Sequence, residues 1–472
     1  MLDHLPQGRV AWSDPRLKQA WLVLALAAAA YALVFPLTVS ITDEAYYSGQ
    51  TLALLHGHLV PTVADALPIA PGRAAETLRY PPGWPALLAP FRLLGFRPMF
   101  VAALLMHLLG GAVVARMLVR RGLPAWLAAA WVFHPVAWIL SRTLMSDVPA
   151  ITLLLLAMDQ WEEGKPGRSA LALGYSLFAR VASLMAAAGA GLAVLADGRW
   201  RWRDLFVLAL GPLGAGIAVV AFNQVTQGSP LGAWYGNEGV DGLTGRSVPQ
   251  HLLLYAGGLL LLPPFPLACL VLRPRRCDRW ALAALPPLAF FVFYSYHDSS
   301  ASALETFFGG QRLVLAAHAV LIVATARVWS AIPLLRFRAP VLALAAACAV
   351  AVSFVSRKRL EERFTPAIRA ARACRPERLA FNGLSLRVAA AVPARAYPMV
   401  TFDGPLPAAD VGIILTREVT RNARVVGRFP VPRAWAATGR CTQAGAFMVF
   451  DLRGGCDLPP PACALPPPAP VR

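Results

Sequence analysis

Four short stretches of the chain combine carboxylates, guanidiniums and rigid turns. Thr42-Asp43-Glu44-Ala45-Tyr46-Tyr47 follows directly on an apolar segment. Arg79-Tyr80-Pro81-Pro82-Gly83-Trp84-Pro85 packs three prolines and a glycine into a stiff turn. Ser146-Asp147-Val148-Pro149 opens a further apolar segment, and Gly309-Gly310-Gln311-Arg312-Leu313 opens a late one, shortly after His297-Asp298. An ionised carboxylate can take a proton from a hydroxyl. A guanidinium can grip a phosphate through paired N–H donors. Each stretch also has a plainer reading. Asp43, Glu44 and Asp147 suit the first turn of a helix, where the backbone dipole favours an anion, and Pro149 suits a helix start. The proline turn can simply return the chain to a membrane. The deciding question is whether the intervening elements bring these groups to one side.

Those elements are membrane spans. The chain has 472 residues, 57% hydrophobic and only 15% charged, with mean hydropathy +0.55. A soluble domain is about 25% charged. This composition excludes a disordered protein, a disulfide miniprotein and an ordinary cytosolic enzyme, and indicates an all-α polytopic membrane protein. Apolar stretches bounded by charges and Pro/Gly breaks predict about eleven spans, each near the ~20 residues that cross the hydrocarbon. They fall at 19–39, 98–117, 123–141, 148–160, 168–182, 183–197, 204–224, 250–272, 280–296, 311–329 and 339–356. The pair 168–182 and 183–197 also reads as one long helix, which would invert everything after it.

Arginine and lysine set the orientation. With residues 1–18 in the cytoplasm, Arg116, Arg120 and Arg121, Arg199, Arg201 and Arg203, and Arg273, Arg275, Arg276 and Arg279 all fall on the cytoplasmic side. That is the positive-inside bias. Trp161, Trp200, Trp202, Trp280 and Trp329 lie at the same ends, as an interfacial belt would. Residues 1–18 and the first span read as an uncleaved signal anchor. The net charge of +19 then points to lipid headgroups and orientation, not to nucleic acid. Asp43, Asp147, Arg180, His297 and Arg312 all face the exoplasmic side. Ionisable groups at membrane mouths are functional candidates.

The core is thus expected over 19–356, with a long first exoplasmic loop at 40–97. Residues 357–472 form a small exoplasmic α/β domain carrying about half of the net charge, with a Pro-rich end. Its predicted elements are a helix at 361–374 and strands at 397–403, 411–416, 423–429 and 446–452. Four of the seven cysteines lie there, Cys374, Cys441, Cys456 and Cys463, and allow three pairings. Cys441 with Cys456, across a predicted hairpin, is the favoured one.

No P-loop, HExxH, GxSxG or GxGxxG occurs, which leaves ATP-driven transport and zincin proteolysis without their main support. The ordered set Asp-Glu-Ala-Tyr-Tyr with Ala53, Leu54 and Gly57, then Tyr-Pro-Pro-Gly-Trp-Pro, then Ser-Asp-Val-Pro, resembles the GT-C membrane glycosyltransferases. The nearest groups are the protein-mannosyltransferase-like and aminoarabinose-transferase-like enzymes, family 39/83 type. The resemblance covers roughly 19–330. It implies a GT-C fold and transfer of a sugar, on the exoplasmic face, from a polyprenyl-phosphate-linked donor to a glycolipid, polysaccharide or protein acceptor. It further implies Asp43 as general base, Glu44 as the acid that orients the acceptor or Asp43, Asp147 as the second cavity aspartate that binds the acceptor or supports the base, and Arg312 as a donor-phosphate ligand. No cofactor is required, although a divalent metal is admissible, and no metal ligand is assigned. One departure stands out: the aminoarabinose-transferase pattern has a lysine before the Pro-Pro pair, where this chain has Tyr80 preceded by Arg79. Arg79 is therefore the second candidate phosphate ligand, and Tyr47, Tyr80 and His297 are candidate substrate contacts. The rival expectations are a lipid transporter or flippase using the same charges, for which inverted repeats would speak, and a non-catalytic GT-C-like protein. The partners in every case include membrane lipids and exclude nucleic acid.

Overall fold

The computed structural model describes the chain except residues 1–9, 37, 40–41, 61–79, 199, 231–241, 244, 246, 296–302, 332–337, 382–384, 390, 393–394, 399–408, 416, 420–424, 429–430, 432–434, 436–437, 439, 445, 459–462 and 464–472. Two compact units result. The first comprises Met1–Phe35, Tyr80–Trp84 and Phe100–Phe354; the second comprises Pro36–Arg79, Pro85–Met99 and Val355–Arg472.

The first unit is helical and belongs to a multi-pass membrane protein. Among the described residues, four helices are long and apolar enough to cross a membrane: Pro15–Leu33, Met99–Arg120, Trp202–Gln227 and Ala339–Ala373. Two bent pairs raise the number to six if each is one span: Val248–Leu261 with Pro266–Leu272, bent by 86°, and Phe307–Leu313 with Leu315–Ala331, bent by 73°. The expected count of about eleven is thus not reached by length and apolarity. The reason is local. The 123–141 stretch breaks into Ala125–Ala128, Ala129–Val132 and Pro135–Ser141, because Pro135 cannot continue a helix begun before it. Consecutive prolines at 263 and 264 likewise interrupt the 250–272 stretch. The 168–182 and 183–197 stretches are two helices, Pro166–Ala179 and Ser183–Asp197, separated at Arg180, whose backbone is extended.

Close helix packing here depends on small residues. A Cβ on Gly174 would come within 2.6 Å of the Gly211 carbonyl oxygen, so Pro166–Ala179 and Trp202–Gln227 approach backbone to backbone, as glycine contacts allow in membranes. The opposite side of Trp202–Gln227 exposes Phe206, Leu213, Ile217 and Val225, a surface suited to lipid. The expected tryptophan belt is only partly present. Trp202 is exposed, whereas Trp280 and Trp329 are core residues, and the Trp280 indole donates to Glu162 Oε1 at 2.6 Å.

Buried polar contacts fasten the segment that leads to Asp147. Arg142 donates through Nε and Nη2 to the Val34 carbonyl oxygen at 3.0 and 2.8 Å. The Tyr31 hydroxyl donates to Ser141 O at 3.0 Å. These bonds satisfy carbonyls at helix ends that would otherwise be orphaned.

The second unit contains the helix Thr42–Leu55 and a five-stranded mixed sheet. Its order is Arg395–Pro398, Arg378–Phe381, Val411–Leu415, Phe447–Asp451, Cys441–Ala444. Arg378–Phe381 pairs in parallel with both neighbours, and the last three strands are antiparallel. Phe364, Leu379, Phe381, Ile413 and Phe447 form the core, and Ala45 from the loop helix is buried in the same cluster. The helix expected at 361–374 is continuous with the preceding span as one helix, Arg338–Ala373. The favoured cysteine pair is also revised: Cys374 bonds Cys456, and Cys441 bonds Cys463. The hairpin exists, but a turn through Gly454 and Gly455, both at positive φ, brings Cys456 to Cys374. Asp451 holds that turn by accepting from the backbone N–H groups of Gly454, Gly455 and Cys456 at 2.9–3.0 Å.

Candidate functional site

Within the first unit, the helix Asp147–Glu162 presents a carboxylate from its first turn. Asp147 is only 1% exposed. An isolated buried carboxylate would be costly, and two guanidiniums compensate it. Arg312 Nε lies 3.1 and 3.2 Å from Asp147 Oδ1 and Oδ2. Arg180 Nη1 lies 3.0 Å from Oδ2. The carboxylate is therefore more than a helix cap: its oxygens are engaged across the bundle.

Each arginine is positioned by a helix break. Arg312 ends Ala303–Leu313, just before the bend into Leu315–Ala331. Across that bend, His318 Nε2 and Gln311 Oε1 are 2.9 Å apart, and Gln311 Nε2 donates to Leu254 O at 2.6 Å. Arg180 fills the gap between Pro166–Ala179 and Ser183–Asp197, its backbone N–H donating to Ser176 O at 3.0 Å. Ser176 Oγ donates to Ala150 O at 2.7 Å, tying the Arg180 side of the gap to the Asp147 helix.

The Tyr-Pro-Pro-Gly-Trp motif braces this arrangement from outside. Trp84 is fully buried and donates through Nε1 to Leu144 O at 2.7 Å. The Tyr175 hydroxyl donates to Gly83 O at 3.0 Å. A Cβ on Gly83 would sit 2.5 Å from Phe178 O, so only glycine permits the turn to lie against the chain leading to Arg180. The turn at Gly83 thus packs against the segments that carry Leu144, Tyr175 and Phe178.

A cavity opens beside the three charges. Asp147, Arg180 and Arg312 with Ser183 form its polar end, and Ile151, Leu154, Pro287, Phe291 and Leu313 its apolar wall. Two cations facing one carboxylate, continued by an apolar wall, suit an anionic head attached to a hydrocarbon chain.

The other expected site residues are placed as follows. Asp43 and Glu44 lie in the first turn of Thr42–Leu55, in the second unit. Asp43 is half-buried and Glu44 fully buried. Tyr47 is a buried core residue, its carbonyl oxygen accepting from Thr51 Oγ1 at 2.7 Å. Tyr80 is half-buried in the first unit. Arg79 and His297 lie outside the described residues. Arg180, expected on the same side as Asp147 and Arg312 but given no role, contacts Asp147 directly. Its signal is an arginine set at the break between two short apolar stretches. Among the described residues, no group of three His, Cys, Asp or Glu side chains is placed to hold a metal ion.

Taken together, the architecture is a polytopic helical membrane fold with a cavity lined by Asp147, Arg180 and Arg312, and a small mixed α/β unit. The same fold occurs in ArnT from Cupriavidus metallidurans. The crystal structure of that protein bound to undecaprenyl phosphate aligns over 93% of this chain and 98% of its own, with TM-score 0.59 and 15% identity. The apo structure aligns over 91% and 97%, with TM-score 0.54 and 15% identity. At this identity the likeness is one of fold, and it is the GT-C, ArnT-like fold that the ordered motifs imply. No protein-family model and no curated protein sequence matches the chain.

Proposed function

We propose that this protein is a membrane glycosyltransferase that moves a sugar from a polyprenyl-phosphate carrier to a glycolipid, polysaccharide or protein acceptor on the exoplasmic face. The observation that carries the reading is the Arg180–Arg312 pair converging on Asp147 at the mouth of an apolar-walled cavity. The undecaprenyl phosphate bound to ArnT, a protein of the same fold, supports a lipid-phosphate ligand. The two disulfides of the second unit support an oxidising, exoplasmic compartment for it, and the distribution of arginine supports a cytoplasmic N-terminus.

In this reading the acceptor hydroxyl oxygen attacks the anomeric carbon. The bond from that carbon to the phosphate oxygen breaks, its electron pair stays on the phosphate, and the anomeric configuration inverts. Arg312 and Arg180 stabilise the charge that develops on the leaving phosphate. The sequence resemblance assigns Asp43 the acceptor proton, with Glu44 orienting the acceptor or Asp43; Arg79 is a further candidate phosphate ligand, and Tyr47, Tyr80 and His297 are candidate substrate contacts. The test is transfer of labelled sugar from endogenous lipid carriers into envelope lipid, polysaccharide and protein fractions, with and without the gene. One labelled product should vanish on deletion and stay absent with Asp43→Asn, while the folded protein is still made. Normal labelling in the deletion strain rejects enzyme function. Full labelling with Asp43→Asn rejects Asp43 as the base.

A further inference from the structure

The bend that presents Arg312 is held by a buried side-chain amide. Gln311, fully buried, precedes Arg312 at the end of the helix Ala303–Leu313. Its Nε2 donates to Leu254 O at 2.6 Å, on the helix Val248–Leu261. Only the amide nitrogen can donate to a carbonyl, so Oε1 is the atom that faces His318 Nε2, 2.9 Å away. That ring nitrogen therefore carries the proton and donates. His318 is itself buried, in the first turn of Leu315–Ala331, and the His134 ring lies against it with centroids 4.9 Å apart. Two glycines make room. A Cβ on Gly258 would overlap the Gln311 amide, and a Cβ on Gly310 would overlap the Leu254 side chain. Leu254 and Gly258 stand four residues apart and so share one face of their helix, and Gln311 is seated on that face.

We propose that His318 is a positioning residue for the lipid phosphate: by donating to Gln311 it fixes the helix bend at the angle that aims Arg312 into the cavity beside Asp147. This inference rests on the reading given under the proposed function and adds to it a residue that acts through Arg312.

Successive residues of a helix point about 100° apart around its axis. Seating Gln311 against Val248–Leu261 therefore turns Arg312 toward another neighbour, and its Nε lies 3.1 and 3.2 Å from the Asp147 carboxylate oxygens. A bend of 73° separates Phe307–Leu313 from Leu315–Ala331, and a side-chain bond across it restricts that angle. A group that grips a ligand must be held within about 0.5 Å of its working position, by neighbours that are themselves locked by packing and hydrogen bonds. The His318–Gln311–Leu254 chain meets that requirement. It acts on the backbone that carries Arg312, whatever else the guanidinium touches.

The test is the affinity of the purified full chain in detergent for undecaprenyl phosphate, with thermal unfolding followed in parallel. His318→Leu/Gln311→Met removes both polar partners at similar volume, a change that can be close to neutral for stability. It should bind about tenfold more weakly, the scale of one hydrogen bond to a charged group. In an Arg312→Ala background the same two changes should add less than about twofold, because residues that act through one group are not additive. A purely structural role would lower the unfolding temperature and leave the affinity of the folded protein unchanged. His318→Gln, whose amide reaches as far as Nε2, should bind within about threefold of wild type, and His318→Asn, which falls short, about tenfold more weakly. That contrast decides the matter if the double variant does not fold. Wild-type affinity in the folded double variant, equal binding by His318→Gln and His318→Asn, or an undiminished loss in the Arg312→Ala background overturns the inference and leaves the enzyme reading intact. A wild type that does not bind undecaprenyl phosphate removes the lipid-phosphate reading and this inference together.

Discussion

The helix Asp147–Glu162 carries ion pairs at both ends, and the two ends are built differently. At its C-terminal end Asp159 and Glu162 of the helix, the adjoining Glu163, and Asp278 meet Arg116, Arg120 and Arg121. Arg120 Nη1 lies 2.7 Å from Glu162 Oε2 and Arg120 Nη2 lies 2.9 Å from Asp159 Oδ1. Arg116 Nη1 lies 2.9 Å from Glu163 Oε1, and Arg121 Nη2 lies 2.9 Å from Asp278 Oδ2. Arg116 also pairs with Asp159, and Arg121 with Glu162. Four acids face three arginines, with Lys165 on Glu163, and the side chains are mostly buried. At the N-terminal end one acid faces two arginines, and a cavity opens alongside. Matched and enclosed charge locks helices together. The N-terminal end differs in that its charges line a cavity, and on that difference the proposed role rests.

The most damaging substitutions should be those that unbalance the enclosed end. Asp159→Ala or Glu162→Ala leaves buried arginines without their acids, and the expected loss is about 3–5 kcal/mol, read as a drop in thermal unfolding temperature in detergent. A shift no larger than that of an exposed control such as Arg453→Ala would remove the structural role assigned to that end. Next comes Arg312→Ala. It should cost less stability than the enclosed end does, because Arg180 still faces buried Asp147, and lower sugar transfer by about 10²–10³-fold, the scale for removing one donor to a developing oxyanion. An equal loss of stability would make the two ends alike.

Gly83→Ala probes the same contrast from outside the charges. Its new Cβ meets the Phe178 carbonyl oxygen, and overpacking of that kind costs about 1–3 kcal/mol. Because the strain falls next to Arg180, transfer should decline more than stability does, whereas Gly191→Ala, in open space, should change neither.

The smallest effect concerns carboxylates held chiefly by backbone N–H groups. Burial alone would raise the Asp451 pKa, but the backbone N–H groups of Cys456, Gly454 and Gly455 outweigh it and hold the carboxyl below its ordinary range. Asp410 is held low in the same way, burial again being outweighed by the backbone N–H groups of Arg378 and Glu377. A lowered folded-state pKa contributes stability that is complete above the unfolded value of about 3.9 and is lost as pH falls through the folded one. The second unit should thus loosen in acid and not in mild alkali. Asp451→Asn should flatten the acid limb and cost about 1 kcal/mol at neutral pH, measured by pH-dependent proteolysis of the second unit.

The membrane character and the helices at most expected spans were legible because composition and apolar runs are local or cumulative properties, whereas the pairing of Asp147 with Arg312 was not predicted. Nor were the partners of Arg116, Arg120 and Arg121. Positive-inside counting assigns such residues to the interface, whereas these meet acids about 40 positions along the chain, a separation no periodicity encodes. Arg180 escaped for a related reason: its side was legible, but its contact with Asp147 depends on a helix gap that hydropathy blurs. The disulfide pairing depends on a two-glycine turn held by Asp451, which spacing between cysteines does not reveal. Hydropathy does not show where prolines at 135, 263 and 264 break the helices within apolar stretches.

Whether Arg180 and Arg312 capture a lipid phosphate is tested most directly by the affinity of the purified protein for undecaprenyl phosphate, compared between wild type and Arg180→Ala/Arg312→Ala with thermal stability measured in parallel. The double variant should be less stable, because buried Asp147 loses both compensating guanidiniums, and its folded fraction should bind at least about a hundredfold more weakly, two charge-assisted contacts having been removed. Unchanged affinity in a folded double variant would show that the two arginines do not hold the phosphate.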